Sequence, residues 1–248
     1  MKIFIITAVF ISTLLYSSSI NIAVASNVSY SINNLIKEFN KSNPDIKVKV
    51  VLGSSGKLTA QISNGAPFDI LMSANMKYPN ALYKSKIAVT KPIVYAQGSL
   101  VIISRNTLNA NKGLELLRDK KIRRIAVANP KTAPYGIATK EALVNAGLYA
   151  SLKSKFVYGE SVSQTLSYAI TAADLGFIAK SSLFSPHMRK YKKGINWIDI
   201  DEKFYTPINQ GVVIVKHGDN NPNVRKFYDF LLSENAKSLF KKFGYIAP

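Results

Sequence analysis

A short run of small and hydroxyl residues, Gly53-Ser54-Ser55-Gly56, is the segment of this sequence best suited to bind a charged ligand. An extended stretch, 46–52, precedes it, and a helical pattern starts at Leu58. The first N–H groups of a helix have no partner within the helix, and the helix dipole is positive there. Such N–H groups, with serine hydroxyls beside them, attract anions. We therefore predict an anion-binding turn at residues 53–56.

Three further segments have the same order of strand, small or hydroxyl residues, and helix. They are Ser26-Asn27, residues 133–136 and residues 160–162. Simple helix capping explains each one taken alone, because serine and asparagine cap helices in most proteins. However, ligands of open α/β sheets collect at the carboxyl ends of the strands. Four such turns in one chain therefore favour a single anion site that they build together.

The elements that must position these turns alternate between strand and helix, which indicates an α/β fold with mostly parallel sheets. Two places, 95–98 and 206–209, are candidates for crossings between two lobes. Two crossings make the second lobe an insertion in the first. We therefore expect lobe I to contain residues 20–97 and 208–248, and lobe II to contain residues 98–207.

Composition excludes several kinds of chemistry. The chain of 248 residues has no cysteine, so disulfides, thiolate metal sites, cysteine nucleophiles and a lipid-modified N-terminal cysteine are excluded. Its two histidines, His187 and His217, are not grouped with carboxylates in the sequence, which argues against a histidine-rich metal site. We expect no cofactor.

The N-terminus has the pattern of an export signal. Lys2 is followed by an apolar run, 3–15, and then by small residues up to Ser19. We expect residues 1–19 to be a signal peptide, although a cut after Ala25 also satisfies the small-residue rule. We prefer the earlier cut, because residues 20–25 alternate like a first strand that the later cut would remove. An uncleaved anchor is the alternative interpretation.

The formal net charge of +19 attracts anions of any kind. Nucleic acid is the usual first candidate for a basic chain, but an exported protein meets little of it, and we expect none as a partner. Two basic clusters, 118–124 and 189–193, are typical of a solvated face. Contact with anionic lipid head groups or nucleic acid is the alternative.

Five segments in order along the chain resemble the periplasmic molybdate-binding proteins of ABC importers. They are GSSG (53–56), AQISNGAPFDILMSAN (60–75), ANPKTAPYG (128–136), ESVSQ (160–164) and AADLGFIA (172–179). The resemblance implies the two-lobe fold of periplasmic binding proteins, type II-like, with a two-crossing hinge and an oxyanion held in the cleft between the lobes. It also implies a periplasmic location and a membrane permease as partner.

The resemblance assigns the oxyanion contacts residue by residue. Ser26 and Asn27 match the first contacting pair, and Ser55 matches a hydroxyl and N–H donor. Tyr135 and Val162 match backbone N–H donors from the second lobe. Molybdenum is then bound only as its oxyanion, through these five residues. Ala179 stands where some members have a contacting tyrosine, so that contact is absent here.

Molybdate is a dianion with four acceptor oxygens, so a site of hydroxyl and N–H donors suits it, and we expect tungstate to bind as well. The sequence leaves open another tetrahedral oxyanion, such as sulfate, or a small organic anion. An enzyme is disfavoured because Ser54 and Ser55 lie in no G-x-S-x-G motif and have no evident His–Asp partner. A protein that binds polyanions through its basic surface is the third possibility.

We expect the protein to be a monomer. We expect Lys57 to attract the ligand from the rim of the site without contacting it.

Overall fold

The computed structural model describes residues 19–246. The predicted signal peptide therefore lies outside the described residues, apart from Ser19. Among the residues that are described, no helix has the length and apolar character needed to cross a membrane.

The described residues form ten strands in two sheets of five. In chain order the strands are β1 (Ser19–Ala25), β2 (Lys47–Gly53), β3 (Ile70–Ser73), β4 (Ile93–Gly98), β5 (Leu100–Ile103), β6 (Ile125–Ala128), β7 (Phe156–Gly159), β8 (Leu175–Ala179), β9 (Trp197–Asp199) and β10 (Ile208–Ile214).

Eight α-helices cover the sheets within the same described range. They are α1 (Ile32–Asn40), α2 (Ser55–Ser63), α3 (Lys77–Lys84), α4 (Pro134–Asn145), α5 (Tyr149–Leu152), α6 (Val162–Thr171), α7 (Pro222–Leu231) and α8 (Glu234–Lys242).

The two sheets are built alike. The first has the order β2-β1-β3-β10-β4, and the second has the order β7-β6-β8-β5-β9. In each sheet three neighbouring strands are parallel: β2, β1 and β3 in the first, and β7, β6 and β8 in the second. The expectation of mostly parallel sheets is therefore only partly right. The antiparallel pairings involve β10 and β5, strands that follow directly where the chain passes between the sheets.

Apolar side chains fill both faces of each sheet. One face of the first sheet packs against α1, α7 and α8, where Phe39, Phe227 and Phe240 are fully buried. The other face packs against α2 and α3 through Leu58 and Leu82. The second sheet lies between α4 on one side and α6 on the other. Each sheet therefore has its own core, which holds the turns at its strand ends in place.

Two helix boundaries differ from the sequence pattern. The spacing of apolar residues over 223–243 predicts one long C-terminal helix. The structure has two, because the Ser233 hydroxyl accepts a hydrogen bond from the Ala236 N–H and caps a new start at Glu234. Helix α2 begins at Ser55 and not at Leu58. This second difference matters for the site, because it makes Ser55 the first helical residue and Ser54 the N-cap.

Candidate anion-binding site

A small cavity lies between the two sheets, at the carboxyl ends of their strands. Its volume is about 10 Å³. That is far below the 300–1,000 Å³ typical of pockets for organic ligands. The wall consists of Ala25, Ser26, Asn27, Gly53, Ser54, Ser55, Ala74, Ala133, Pro134, Tyr135 and Val162.

All five residues that the sequence assigned to oxyanion contact line this one cavity: Ser26, Asn27, Ser55, Tyr135 and Val162. The first three follow strands β1 and β2 of the first sheet, and the last two begin helices that follow β6 and β7 of the second sheet. All five are buried. The structure therefore brings residues from both sheets, 80 or more positions apart in the sequence, to one point.

Backbone N–H groups face this point because three helices begin there. In the first turn of α2 the Gly56 N–H donates to the Thr132 carbonyl and the Leu58 N–H donates to the Ser54 carbonyl. Among the described residues, no acceptor is bonded to the Ser55 N–H. At the start of α4, Pro134 has no N–H, so the first backbone N–H of this helix is that of Tyr135. It is bonded to no acceptor among the described residues.

Helix α6 repeats this arrangement. Its N-cap, Ser161, accepts from the Gln164 N–H with its side chain and from the Thr165 N–H with its carbonyl. The N–H of Val162, the first helical residue, is bonded to no acceptor in the described part of the chain. Three helix starts therefore each offer an uncommitted N–H at the cavity wall, and each start carries positive potential.

Serine hydroxyls add side-chain donors. The Ser55 hydroxyl accepts a hydrogen bond of 2.9 Å from the Ala74 N–H, so its own hydrogen remains available to a ligand. The Ser54 hydroxyl is buried and has no partner among the described residues. A buried hydroxyl without a partner is costly. Its position in the wall makes Ser54 a further candidate contact, which the resemblance did not assign.

Asn27 is held by a buried network. Its Nδ2 donates to Gln210 Oε1 at 2.9 Å and to the Tyr245 hydroxyl at 3.0 Å. The backbone carbonyl of Asn27 accepts hydrogen bonds from the hydroxyls of Tyr245 and Ser181, at 2.8 Å and 2.9 Å. Because these contacts occupy the Nδ2 group, the donor that Asn27 has left is its backbone N–H. The sequence motifs contain no signal for Gln210 and Tyr245, since both lie far from Asn27 along the chain.

The cavity wall holds no charged side chain: no aspartate, glutamate, lysine, arginine or histidine is among its eleven residues. The described residues also contain no cluster of three or more histidine and carboxylate side chains that could hold a metal ion. The nearby tyrosines remain neutral as well, because burial raises the pKa of Tyr245 to about 12 and raises the pKa of Tyr95 and Tyr135. The site therefore offers neutral donors to an anion and no carboxylate that would repel it.

Hydrogen bonds across the cleft close the cavity. The Gly56 N–H and the Tyr78 hydroxyl both donate to the Thr132 carbonyl, at 2.9 Å and 3.2 Å. The Ser163 hydroxyl donates to the Ser26 carbonyl at 2.9 Å. Lys57, expected to steer from the rim, instead forms an ion pair with Glu160 across the cleft, with 2.9 Å between Nζ and Oε1. The structure is therefore a closed form.

Two α/β lobes that close on a small cavity of neutral donors define a solute-binding protein. A family profile described as "Bacterial extracellular solute-binding protein" matches residues 20–246, and this chain belongs to that family.

Known proteins of similar sequence point to one branch of it. The molybdate-binding protein ModA of Azotobacter vinelandii is 32% identical over 231 residues, which are 92% of this chain and 90% of the relative. ModA of Rhodobacter capsulatus is 33% identical over 202 residues, 80% of this chain and 77% of the relative. The resemblance that the sequence motifs carry is confirmed by these matches.

A solved structure extends the agreement to the fold. The periplasmic molybdate-binding protein of Azotobacter vinelandii superimposes with a TM-score of 0.84 at 30% identity, and the match covers 92% of this chain and 99% of that one. The predicted two-lobe α/β fold of periplasmic binding proteins is therefore confirmed.

Proposed function

We propose that this chain captures molybdate, and tungstate, in the cavity between its lobes and delivers it to the membrane permease of an ABC importer. The observation that carries the proposal is the convergence of Ser26, Asn27, Ser55, Tyr135 and Val162 on one small, uncharged cavity. The names of the relatives support the choice of molybdate among oxyanions. No catalytic step is part of the proposal.

The donor set is strong enough for this task. A hydrogen bond to a charged group contributes about 1.5–3 kcal/mol, and a helix start adds about 0.3–1 kcal/mol. Several such contacts, less the cost of association, reach the roughly −8 kcal/mol of micromolar binding. Phosphate fits less well, because near neutral pH it carries a proton that needs an acceptor in the site.

An enzyme could use Asp69 and Glu160 as a pair of catalytic carboxylates, but both side chains have partners in the structure. Asp69 Oδ1 lies 2.6 Å from His217 Nδ1, and Asp69 Oδ2 accepts from the Asn21 N–H at 2.6 Å. Glu160 forms the ion pair with Lys57. Neither carboxylate is part of the cavity wall, which supports a binding role for the cleft over an enzymatic one.

The proposal includes lobe boundaries and export. Lobe I comprises 20–97 and 208–248, lobe II comprises 98–207, and the two crossings form the hinge. Signal cleavage after Ser19 leaves residues 20–25 of β1 in place between β2 and β3, whereas a cut after Ala25 would remove that internal strand. We propose a periplasmic, monomeric protein on this basis. N-terminal sequencing of the exported chain tests the cleavage point.

Calorimetry of the mature protein with molybdate, tungstate, sulfate and phosphate tests the proposed ligand. We expect saturable one-to-one binding of molybdate and tungstate, and at least tenfold weaker binding of sulfate, since the smaller ion reaches fewer donors at once. Equally weak heats for all four anions would contradict the proposal.

Replacing Ser55 with alanine removes one hydroxyl donor and leaves the helix intact. We expect Ser55→Ala to weaken molybdate binding by about 1–3 kcal/mol, and to lower the melting temperature by a few degrees because the buried Ala74 N–H loses its acceptor. Ser63→Ala is the matched control, because Ser63 is an exposed serine at the far end of the same helix. Equal affinities of the two variants would place the site elsewhere.

Molybdate affinity is expected to be constant from about pH 7 to about pH 9. Free tyrosine titrates above this range, and burial raises the pKa of Tyr135, the one ionisable side chain of the cavity wall. Burial moves the pKa of Tyr245 further upward, to about 12, so this hydroxyl stays protonated as a donor to Asn27. Isothermal titration at several pH values in this range measures the slope, and a change of tenfold or more would show an ionisable group in the site.

Breaking the ion pair across the cleft is expected to have a small effect. Both side chains, Lys57 and Glu160, are 54% exposed, and such pairs contribute about 0.2–1 kcal/mol. Glu160→Gln should therefore lower molybdate affinity by less than about fivefold at low salt, and by less still at high salt. A large, salt-independent loss would mean that Glu160 supports the helix start itself.

A further inference from the structure

A second, much larger concavity lies outside the ligand cavity, on the surface of the second lobe. Its volume is about 880 Å³. Its floor is formed by α4, α5 and β7, and one edge reaches α3 of the first lobe. We call it the lysine groove after its four lysines, Lys77, Lys131, Lys140 and Lys153.

The charge of the lysine groove is strongly one-sided. None of its four lysines forms an ion pair with a carboxylate in the described residues. The groove wall includes one carboxylate, Glu141, and its Oε2 accepts a hydrogen bond of 2.9 Å from the Thr206 N–H. An occupant of the groove therefore meets uncompensated positive charge, which favours carboxylates or other anions.

The lysine groove also has apolar and aromatic surface. Val144 is 51% exposed and Tyr158 is 44% exposed. The Lys140 ammonium lies 5.7 Å from the centre of the Tyr149 ring. Exposed apolar groups rimmed by charge are typical of protein–protein contact sites. The volume holds several side chains, so it suits a segment of polypeptide and exceeds what one inorganic anion fills.

The position of the lysine groove connects it to closure. Lys77 belongs to the first lobe, whereas Lys131 lies on the loop after β6 in the second. Between them the Tyr78 hydroxyl donates to the Thr132 carbonyl, and Thr132 also accepts from the Gly56 N–H beside the ligand cavity. The two lysines therefore adjoin the seam where the lobes meet, and opening the cleft separates them.

We infer that the lysine groove is a docking surface for a carboxylate-rich segment of the membrane permease, and that the segment binds the closed, ligand-loaded form preferentially. The inference rests on the proposed function, since it names the chemistry of the partner in delivery. A surface shared by both lobes binds its partner best when the lobes are together, so docking reports that the cavity is filled.

Fluorescence anisotropy with a labelled peptide of alternating glutamate and leucine tests the docking surface. The same peptide with glutamine in place of glutamate is the probe control. We expect the acidic peptide to bind the molybdate-loaded chain at least fivefold more tightly than the ligand-free chain, and the glutamine peptide to bind neither.

Two triple variants with equal change in net charge separate a local site from the general positive field. Lys131→Gln, Lys140→Gln and Lys153→Gln alter the groove, whereas Lys120→Gln, Lys121→Gln and Lys192→Gln alter exposed lysines outside it. We expect the groove triple to weaken peptide binding about tenfold and the control triple to weaken it less than about twofold. Equal losses would overturn the inference, because the net charge alone would then explain binding.

Further measurements distinguish failure of the proposed molybdate-binding function from failure of the docking inference. Calorimetry of the groove triple with molybdate is expected to match the unmodified chain, and molybdate uptake by cells that carry the triple is expected to fall. If the unmodified chain does not bind molybdate, the proposed function fails. If all variants bind molybdate and uptake is unchanged in the groove triple, only the docking inference fails.

Binding to vesicles of phosphatidylglycerol tests whether the lysine groove contacts lipid instead. If the groove triple loses vesicle binding but keeps peptide binding, the groove binds lipid and the docking inference is overturned.

Discussion

Replacing Val162 with proline is expected to weaken molybdate binding by about 1.5–3 kcal/mol, a factor of roughly 10 to 150, in a protein that still folds. Proline has no backbone N–H, so Val162→Pro deletes the one donor that this residue is proposed to give. Hydrogen bonds to a charged ligand are among the strongest of their kind, because the partial charge of the donor meets a full charge.

The fold tolerates this change because of where Val162 lies. It is the first residue of α6, the helix position at which proline is common and at which the missing N–H costs no helical hydrogen bond. The preceding residue, Ser161, has φ −133° and ψ 164°, an extended conformation that a following proline accepts. The loss of affinity is therefore separable from loss of structure.

Val162→Ala is the matched control for this experiment. Val162→Ala keeps the backbone N–H and removes most of the buried side chain. Its effect on molybdate affinity therefore comes from lost side-chain packing alone. Isothermal titration and thermal melting of the two variants give affinity and stability side by side. If Val162→Pro binds molybdate as well as Val162→Ala does, the backbone of Val162 does not contact the ion.

The sequence reveals the turns that line the cavity because they are local features. Small residues between a strand and a helix, as at Ser54-Ser55, specify a helix start. This local signal does not depend on how the lobes pack. Alternation of strands and helices then places such starts at one edge of each sheet. The local pattern does not predict that these two sheet edges face each other, because this depends on how the lobes pack together. That part came from the resemblance to a known family.

Other features of the site depend on distant contacts and leave no local signal. Gln210 and Tyr245 hold Asn27 although they follow it by 183 and 218 positions. The first residue of α2 was misplaced for a related reason: Gly56, a poor helix former, obscures the helical pattern before Leu58. Its conformation is fixed by the hydrogen bond from its N–H to Thr132 in the other lobe.

This contact makes Gly56 the best position at which to test closure. A Cβ atom built on Gly56 would lie 2.9 Å from the Thr132 carbonyl oxygen and 3.0 Å from its Cα, both backbone atoms of the second lobe. The third near atom, 2.7 Å away, is the Tyr78 hydroxyl, the far end of a side chain. The obstruction from the Thr132 backbone therefore exists only when the lobes are together.

We expect Gly56→Ala to weaken molybdate binding by about 1–3 kcal/mol, the usual cost of a forced close contact. Gly56→Val is expected to weaken it further, since its larger side chain pushes the lobes further apart. The helix itself does not suffer from alanine, which is a better helix former than glycine by about 1 kcal/mol. The melting temperature without ligand should therefore stay constant or rise while affinity falls.

Opposite directions of stability and affinity distinguish blocked closure from a damaged fold. Because the chain has no cysteine, labels at Lys84→Cys and Lys120→Cys, exposed residues of the two lobes, report the distance between the lobes without competing thiols. In the unmodified chain we expect molybdate to shorten this distance, and in Gly56→Val we expect a smaller change at saturating ligand. Incomplete shortening with unchanged affinity in Gly56→Val would show that the ion is held from one lobe only, because a site completed by both lobes cannot bind fully while they are kept apart. Full shortening would show that a side chain at position 56 does not obstruct closure.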